Sequence, residues 1–304
     1  MKKRDTADFL TFLGFVLPGF ILYLFIVAYP ICYSVVLSVS DYNPNVGGAW
    51  HFMGLTHYKT MLADPNFWHA LKNNMIVVLV SVFGQIPIGF MLAFILYRKQ
   101  IKGGNFFQSM VFLPQFLSMI VIGIMWRMLF MVDGPVARIM QAVSGDSGMQ
   151  FTMMLDKNKV MIPIGIALIW VYTGFYMIIF LANLQKINES MIEAAKIDGA
   201  NEFQIFFKVI VPLLAGTILT SCILAIAGSL KGFSLIFAIA SDGLVRLNAE
   251  VLPILMYRTA FQDFSNPMRF AYGSAISNTV VLISIVMIVF SNYVGKKLGT
   301  DEEY

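Results

Sequence analysis

Long apolar runs limit this chain more than any other feature. Phe9 to Ser40 carries no charged residue, and it exceeds the roughly 20 residues that a helix needs to cross a bilayer. Runs of spanning length recur at 74–97, 106–131, 160–184, 212–230 and 271–294. Inside hydrocarbon the backbone must satisfy its own N–H and C=O groups, which leaves helices or closed barrels. Continuous apolar runs without strict alternation select helices. The expected fold class is all-α: a polytopic membrane protein with six transmembrane helices, read as one transmembrane domain over 1–304. Composition agrees, with 58% hydrophobic and only 12% charged residues, against about 25% charged in soluble domains.

Several classes of chemistry are excluded. The net charge of +4 is small and unclustered, so nucleic acid is not an expected partner. Cys32 and Cys222 both lie inside apolar runs and read as packing residues, not a disulfide. His51, His57 and His69 fit no metal-ligand spacing, so no metal site is assigned. There is no GxxxxGK[ST] phosphate loop, HExxH, CxxC or GxSxG, so this chain is not expected to hydrolyse ATP itself and no residue here is assigned as catalytic. The 20 methionines and 27 phenylalanines read as lipid-facing or core residues. The first run is too long for a cleavable leader, and Tyr29, Pro30 and Tyr33 stand where a small-residue cleavage site is expected.

Six spans put both ends on one side. The Lys/Arg counts of the two sides are nearly equal, and density decides. The short basic segments, with Lys2, Lys3, Arg4, Arg98, Lys99, Lys102, Lys186, Lys196, Lys208 and the two tail lysines Lys296 and Lys297, put the side of the ends and the knob in the cytoplasm. Asp41 to Lys72, with Pro44, Gly47, Gly48 and Pro65, reads as a polar connection. So does Asp133 to Lys159. Pro87 and Gly89 lie inside the second run, and Pro114 lies near the start of the third. Phe233 to Ala240 is too short to span and is a candidate re-entrant or cavity-lining segment. Ser241 to Phe270 is polar and mixed, and Lys296 to Tyr304 is a charged tail. Lys231 interrupts the apolar map, either as a lysine snorkelling from a helix end or as a residue of a solute path.

The most polar and best-punctuated connection is 185–211. It reads as two short helices with a hinge, a compact knob between two spans. Glu193 suits the early part of a helix, where a carboxylate meets the positive end of the dipole. Ala194 and Ala195 favour helix and let a partner surface come close. Gly199 can end that helix, Asp198 or Asn201 can cap the next, and Pro212 fits the first turn of the fifth span.

Glu193-Ala194-Ala195, Asp198-Gly199-Ala200, Phe207, Ile210 and Pro212-Leu213 resemble the EAA signature of permease subunits of bacterial ABC importers. Leu17-Pro18, Tyr29-Pro30, Gly54-Leu55, Tyr58, Asp64-Pro65, Phe67-Trp68, Phe112-Leu113-Pro114, Ala182 to Ile187 and Tyr257 to Phe261 look like the carbohydrate-uptake branch. Together they are similar to the first permease of the maltose and glycerol-phosphate importers. The resemblance implies the MetI-like, type I importer permease fold in a bacterial plasma (inner) membrane. It also implies a second permease as heterodimer partner, an ABC ATPase dimer that binds ATP and Mg, and an extracytoplasmic solute-binding protein. No cofactor is implied on this chain itself. The knob residues Glu193, Ala194, Ala195, Asp198, Gly199 and Ala200 would couple to the ATPase.

The maltose importer's sugar positions fall at Val171, Tyr172, Phe175, Gly228, Ser229 and Gly232. The residue types there differ, so that sugar preference does not carry over. Trp170, Tyr172 and Phe175 could stack on a sugar ring, Thr173, Ser229 and Ser234 could bond its hydroxyls, and Lys231 joins them as a candidate path residue. The alternative for each is ordinary helix packing. Val211, where leucine is commoner, is a mild departure. A non-sugar solute would keep the same architecture. A secondary transporter would need repeated halves and intramembrane charges, and a membrane enzyme would need clustered acids or histidines; neither pattern is visible.

Overall fold

A computed structural model describes residues 2–42, 50–98, 102–146, 151–241 and 243–297. The side chains of 2–8 and Leu10 are outside that description, as are Pro44, Gly47, Gly48, Lys99 and tail residues 298–304. Among the described residues the structure is helical, apart from an isolated antiparallel bridge between Ser40 and Phe52.

In chain order the helices are α1 (Thr11–Ser38), α2 (Thr56–Ala63), α3 (Pro65–Tyr97), α4 (Gly104–Phe112), α5 (Met119–Phe130), α6 (Pro135–Ser144) and α7 (Met161–Leu184). Then come α8 (Glu189–Ile197), α9 (Glu202–Leu213), α10 (Ala215–Lys231), α11 (Ser234–Ile239), α12 (Gly243–Asn248), α13 (Leu252–Tyr257) and α14 (Arg269–Lys297). Among the described residues five helical stretches are long and apolar enough to span a membrane, namely α1, α3, α5 with α6, α7 and α14, and the bent pair α9 and α10 makes up to 6.

Prolines explain much of the departure from straight helices. A proline has no N–H, and its ring crowds the carbonyl four residues back. Pro30, Pro87 and Pro212 each follow a π turn, at Leu24–Ala28, Ser81–Gln85 and Phe206–Ile210. The crowded carbonyls, those of Ile26, Phe83 and Lys208, lie inside those turns, where one extra residue relieves the clash.

Five expectations need correction. The third run is not one helix: Pro114 sits in a 3₁₀ turn, Leu113–Phe116, and extended backbone at Leu117 and Ser118 separates α4 from α5. The second span, α3, starts early, at Pro65 and not at Asn74, because the Asp64 carboxylate accepts the Asn66 N–H at 2.9 Å. The polar stretches 133–159 and 241–270 contain α6, α12 and α13. Pro212 closes α9 instead of opening the fifth span, which starts at Ala215 after a 72° bend. Glu193 lies mid-helix; Glu189 occupies the first turn of α8, so it takes the dipole role.

The chain divides into two compact units. The first holds residues 1–67 and 256–279. Here Ser34 and Asn278 exchange hydrogen bonds between α1 and α14, at 3.3 and 3.2 Å. Tyr272 donates to the Asp64 carboxylate at 3.0 Å. Gly273 admits Ala260, whose Cβ lies 2.8 Å from where a glycine-to-alanine Cβ would be. Most α1 side chains stay exposed, with Phe15 at 84%. Beyond α1, the His51 N–H and imidazole hold the Asp41 carboxyl below the usual carboxylate range.

The second unit, 68–255 and 280–304, is built around α7. Helix α3 approaches α7 at Gly89, where an added Cβ would lie 2.9 Å from the Thr173 carbonyl oxygen. Helix α4 reaches α7 at Gly174, which faces the Val111 carbonyl. Small residues allow such approach, and packing rather than hydrophobicity drives helix association in lipid. Two apolar clusters result. One gathers Ile122, Ile164, Val171, Leu235 and Ile236; the other gathers Phe90, Phe180, Leu184, Ile192 and Ile205.

Candidate functional site

The knob is shaped by its own caps. The Asn188 side chain accepts the Ser190 N–H and starts α8. Gly199, at φ +80°, ends it: the Gly199 N–H bonds Lys196 O at 3.0 Å and the Ala200 N–H bonds Ala195 O at 2.9 Å. This paired closure needs a left-handed residue, which glycine adopts without a Cβ penalty. Asn201, not Asp198, caps α9, in a reciprocal box with Gln204.

Ile192, Ile205, Phe206 and Ile210 anchor the knob in the second apolar cluster, where the Phe206 ring lies 4.9 Å from both Phe90 and Phe94. Arg98, at the end of α3, pairs with Glu202. Of the predicted coupling residues, Ala195 and Ala200 pack partly inward, while Glu193, Ala194, Asp198 and Gly199 are exposed. Sequence reasoning missed three exposed apolar neighbours, Met191, Ile197 and Phe203, with Ile197 85% exposed; Phe207, already named in the signature, is exposed beside them. Large apolar residues inside an otherwise polar connection were the available signal.

A cavity of about 290 Å³ lies between α3, α7, α10 and α11, at the low end of the range for small-molecule sites. Tyr172 and Tyr176 from α7 face Ser229 and Gly228 from α10 across it. The π turn in α3 supplies Ser81 and Gln85, and Phe233 and Ser234 complete the wall. The Ser229 hydroxyl donates to Ser81 at 2.8 Å. Lys231, in the last turn of α10, contributes the only charge among the lining residues. Aromatic faces with a few polar groups suit a ring bearing hydroxyls.

Four predicted path residues, Tyr172, Ser229, Lys231 and Ser234, therefore come together. Trp170, Thr173 and Phe175 do not line this cavity. Trp170 is partly exposed and points to Trp126, with ring centroids 5.9 Å apart. Thr173 is buried at the α3 contact, and Phe175 packs into the knob-side cluster. The spacing of 170, 172, 173 and 175 covers several faces of one helix, so no single cavity can take all four. Ser81, Gln85 and Tyr176 were missed, because polar residues inside apolar runs look like helix packing until their partners are known.

The model of the binding-protein-dependent transport system inner membrane component family matches residues 85–300. The chain belongs to this family. It is 30% identical to the lactose transport system permease protein LacF of Rhizobium radiobacter, over 93% of each chain. It is also 30% identical to the alpha-glucoside transport system permease protein AglF of Rhizobium meliloti, over 91% of this chain and 80% of that one. A crystal structure of a bacterial ABC transporter involved in the import of the acidic polysaccharide alginate superimposes with a TM-score of 0.81, covering 97% of this chain and 98% of that one, at 21% identity. That likeness shows the fold. This family member is a multi-pass membrane permease subunit of a binding-protein-dependent transport system, and the secondary-transporter reading falls away.

Proposed function

We propose that this permease pairs with a second, different permease and forms the path by which a sugar or oligosaccharide enters the cell. The observation that carries the reading is the capped knob of α8 and α9 in a chain of this family, with permeases of lactose and alpha-glucoside systems among its relatives. The cavity's two tyrosines, Ser229 and Ser234 fit a hydroxylated ring. Tyr172, Ser229, Lys231 and Ser234 would meet the solute; Trp170, Thr173 and Phe175 would hold α7.

In this reading both termini and the knob are cytoplasmic. Glu193, Ala194, Asp198, Gly199 and the apolar rim meet an ABC ATPase dimer, with Ala195 and Ala200 packed behind them. ATP and Mg bind there, and this chain performs no hydrolysis. A binding protein delivers solute from outside. ATP-driven closure of the ATPase pair moves the two knobs together, and the caps transmit that motion because they make each knob a rigid unit.

The test is uptake of radiolabelled lactose and maltose by proteoliposomes holding the two permeases and the ATPase. Accumulation of one of them that needs both ATP and the binding protein is the expected result. Uptake driven by an ion gradient without the ATPase would overturn the reading.

A further inference from the structure

One turn of α3 has no role so far. Asn73 and Asn74 are 2% and 0% exposed, and a buried amide is costly unless it is hydrogen-bonded. Asn74 donates from Nδ2 to the Ser229 carbonyl at 3.1 Å and accepts the Leu252 N–H on Oδ1 at 2.7 Å. The Ser229 carbonyl lies in the last turn of α10, and the Leu252 N–H opens α13. Helix ends carry backbone groups that lack intrahelical partners. A single side chain thus caps the end of one helix and the start of another.

Asn73 donates to the carbonyls of Asn248 and Glu250, at 3.0 and 2.9 Å. His69 Nε2 lies 2.9 Å from the same Asn248 carbonyl, so the imidazole N–H sits on that nitrogen. One stretch of α3 therefore holds α10, α12 and the start of α13. Between the held ends the chain supplies Phe233 to Ile236 to the cavity and forms α11.

We propose that Asn74 is a positioning residue for solute passage: it locks the last turn of α10 and the cavity-lining chain to α3, so the cavity opens and closes with α3 as one body. This rests on the reading that the cavity lies on the solute path. Asn74→Asp still accepts from the Leu252 N–H, and its ionised carboxylate cannot donate to the Ser229 carbonyl; labelling is run at alkaline pH to keep it ionised against the pull of burial.

Accessibility of the cavity reads this directly. Gly228 lines it, and an added Cβ there meets nothing within 4 Å. Gly228→Cys, with Cys32→Ser and Cys222→Ser, is labelled by a charged, membrane-impermeant thiol reagent in the assembled complex in nanodiscs without nucleotide. Asn74→Asp should raise the labelling rate about fivefold or more, the scale of one lost buried hydrogen bond. Ser221→Ala, at an equally buried site on α10 whose hydroxyl has no partner among the described residues, should leave it within about twofold.

Asn74→Asp labelling like the parent, or Ser221→Ala labelling as fast as Asn74→Asp, overturns the proposal. If Asn74→Asp does not assemble, Asn74→Ser takes its place. Failure of both to assemble assigns Asn74 a structural role only and also overturns it. The labelling needs no sugar, so its outcome is separate from that of the uptake test.

Discussion

The knob and the cavity lie in the same unit of the chain, yet different bonds hold them. The knob's shaping bonds are local: Asn188 to Ser190, Asn201 to Gln204, Ala200 to Ala195. The cavity's polar bonds join residues 148 to 178 positions apart, through Ser81, Asn74, Ser229 and Leu252. A locally built element keeps its form wherever its anchoring residues sit and can move as a lever. A site built from distant helices changes whenever those helices shift, which is what an alternating path requires. The knob should therefore be sensitive to backbone changes, and the cavity to side-chain changes.

The largest expected effect is at Gly199. Its φ of +80° lies where an L side chain is strained, and an added Cβ there meets nothing within 4 Å. Any loss on substitution is then a backbone effect and not a clash. Proline fixes φ near −65° and cannot adopt this angle. Uptake should fall in the order Gly, Asn, Ala, Pro, because asparagine tolerates the left-handed region better than alanine. Gly199→Pro should abolish uptake, and Gly199→Ala should weaken the knob by roughly 1–2 kcal/mol, the cost of holding an L side chain in the left-handed region. Uptake assayed beside membrane abundance checks the order. Wild-type uptake by Gly199→Pro would break the claim that the knob works through its backbone.

The second effect sharpens the contrast along a single helix. Tyr172 lines the cavity and borders both apolar clusters, while Phe175, less than one turn further on, borders the knob-side cluster and stays out of the cavity. Tyr172→Ala should change the relative uptake of lactose and maltose. Phe175→Ala should lower uptake of both equally and lower the complex's thermal midpoint, with a stability loss of roughly 3 kcal/mol or less for a partly buried ring. Equal discrimination between sugars in both variants would place the solute elsewhere.

The same contrast governs what could be read from the sequence. The spans were legible because a bilayer imposes one length and one backbone solution on each. The knob was legible because caps and a left-handed glycine are written within a few residues of where they act. The break at Pro114 and the early start at Pro65 were not, since a proline in an apolar run is compatible with a kink, a stop or a start. In the cavity, Tyr172 and Ser229 were found but Ser81, Gln85 and Tyr176 were not. Nothing local distinguishes a serine that faces a cavity from one that bonds its own helix. Asn74 opened the second run with Asn73 just before it, and their partners lie far along the chain.

The smallest effect tests the exception. Arg98 and Glu202 form a long-range polar contact of the knob, linking α9 to the end of α3. The arginine side chain is 15% exposed and the glutamate 47%, so water screens the pair. Partly exposed pairs of this kind contribute about 1 kcal/mol or less. Glu202→Ala should lower the thermal midpoint of the complex slightly in low salt. That difference should vanish near 1 M salt, where the screening length falls to about 3 Å. Uptake should stay within about twofold of wild type, because the caps and the apolar anchors Ile192, Ile205, Phe206 and Ile210 remain. If Glu202→Ala instead stops uptake as completely as Gly199→Pro, the knob depends on a distant bond just as the cavity does. The division between a locally built lever and a distantly built path would then be lost.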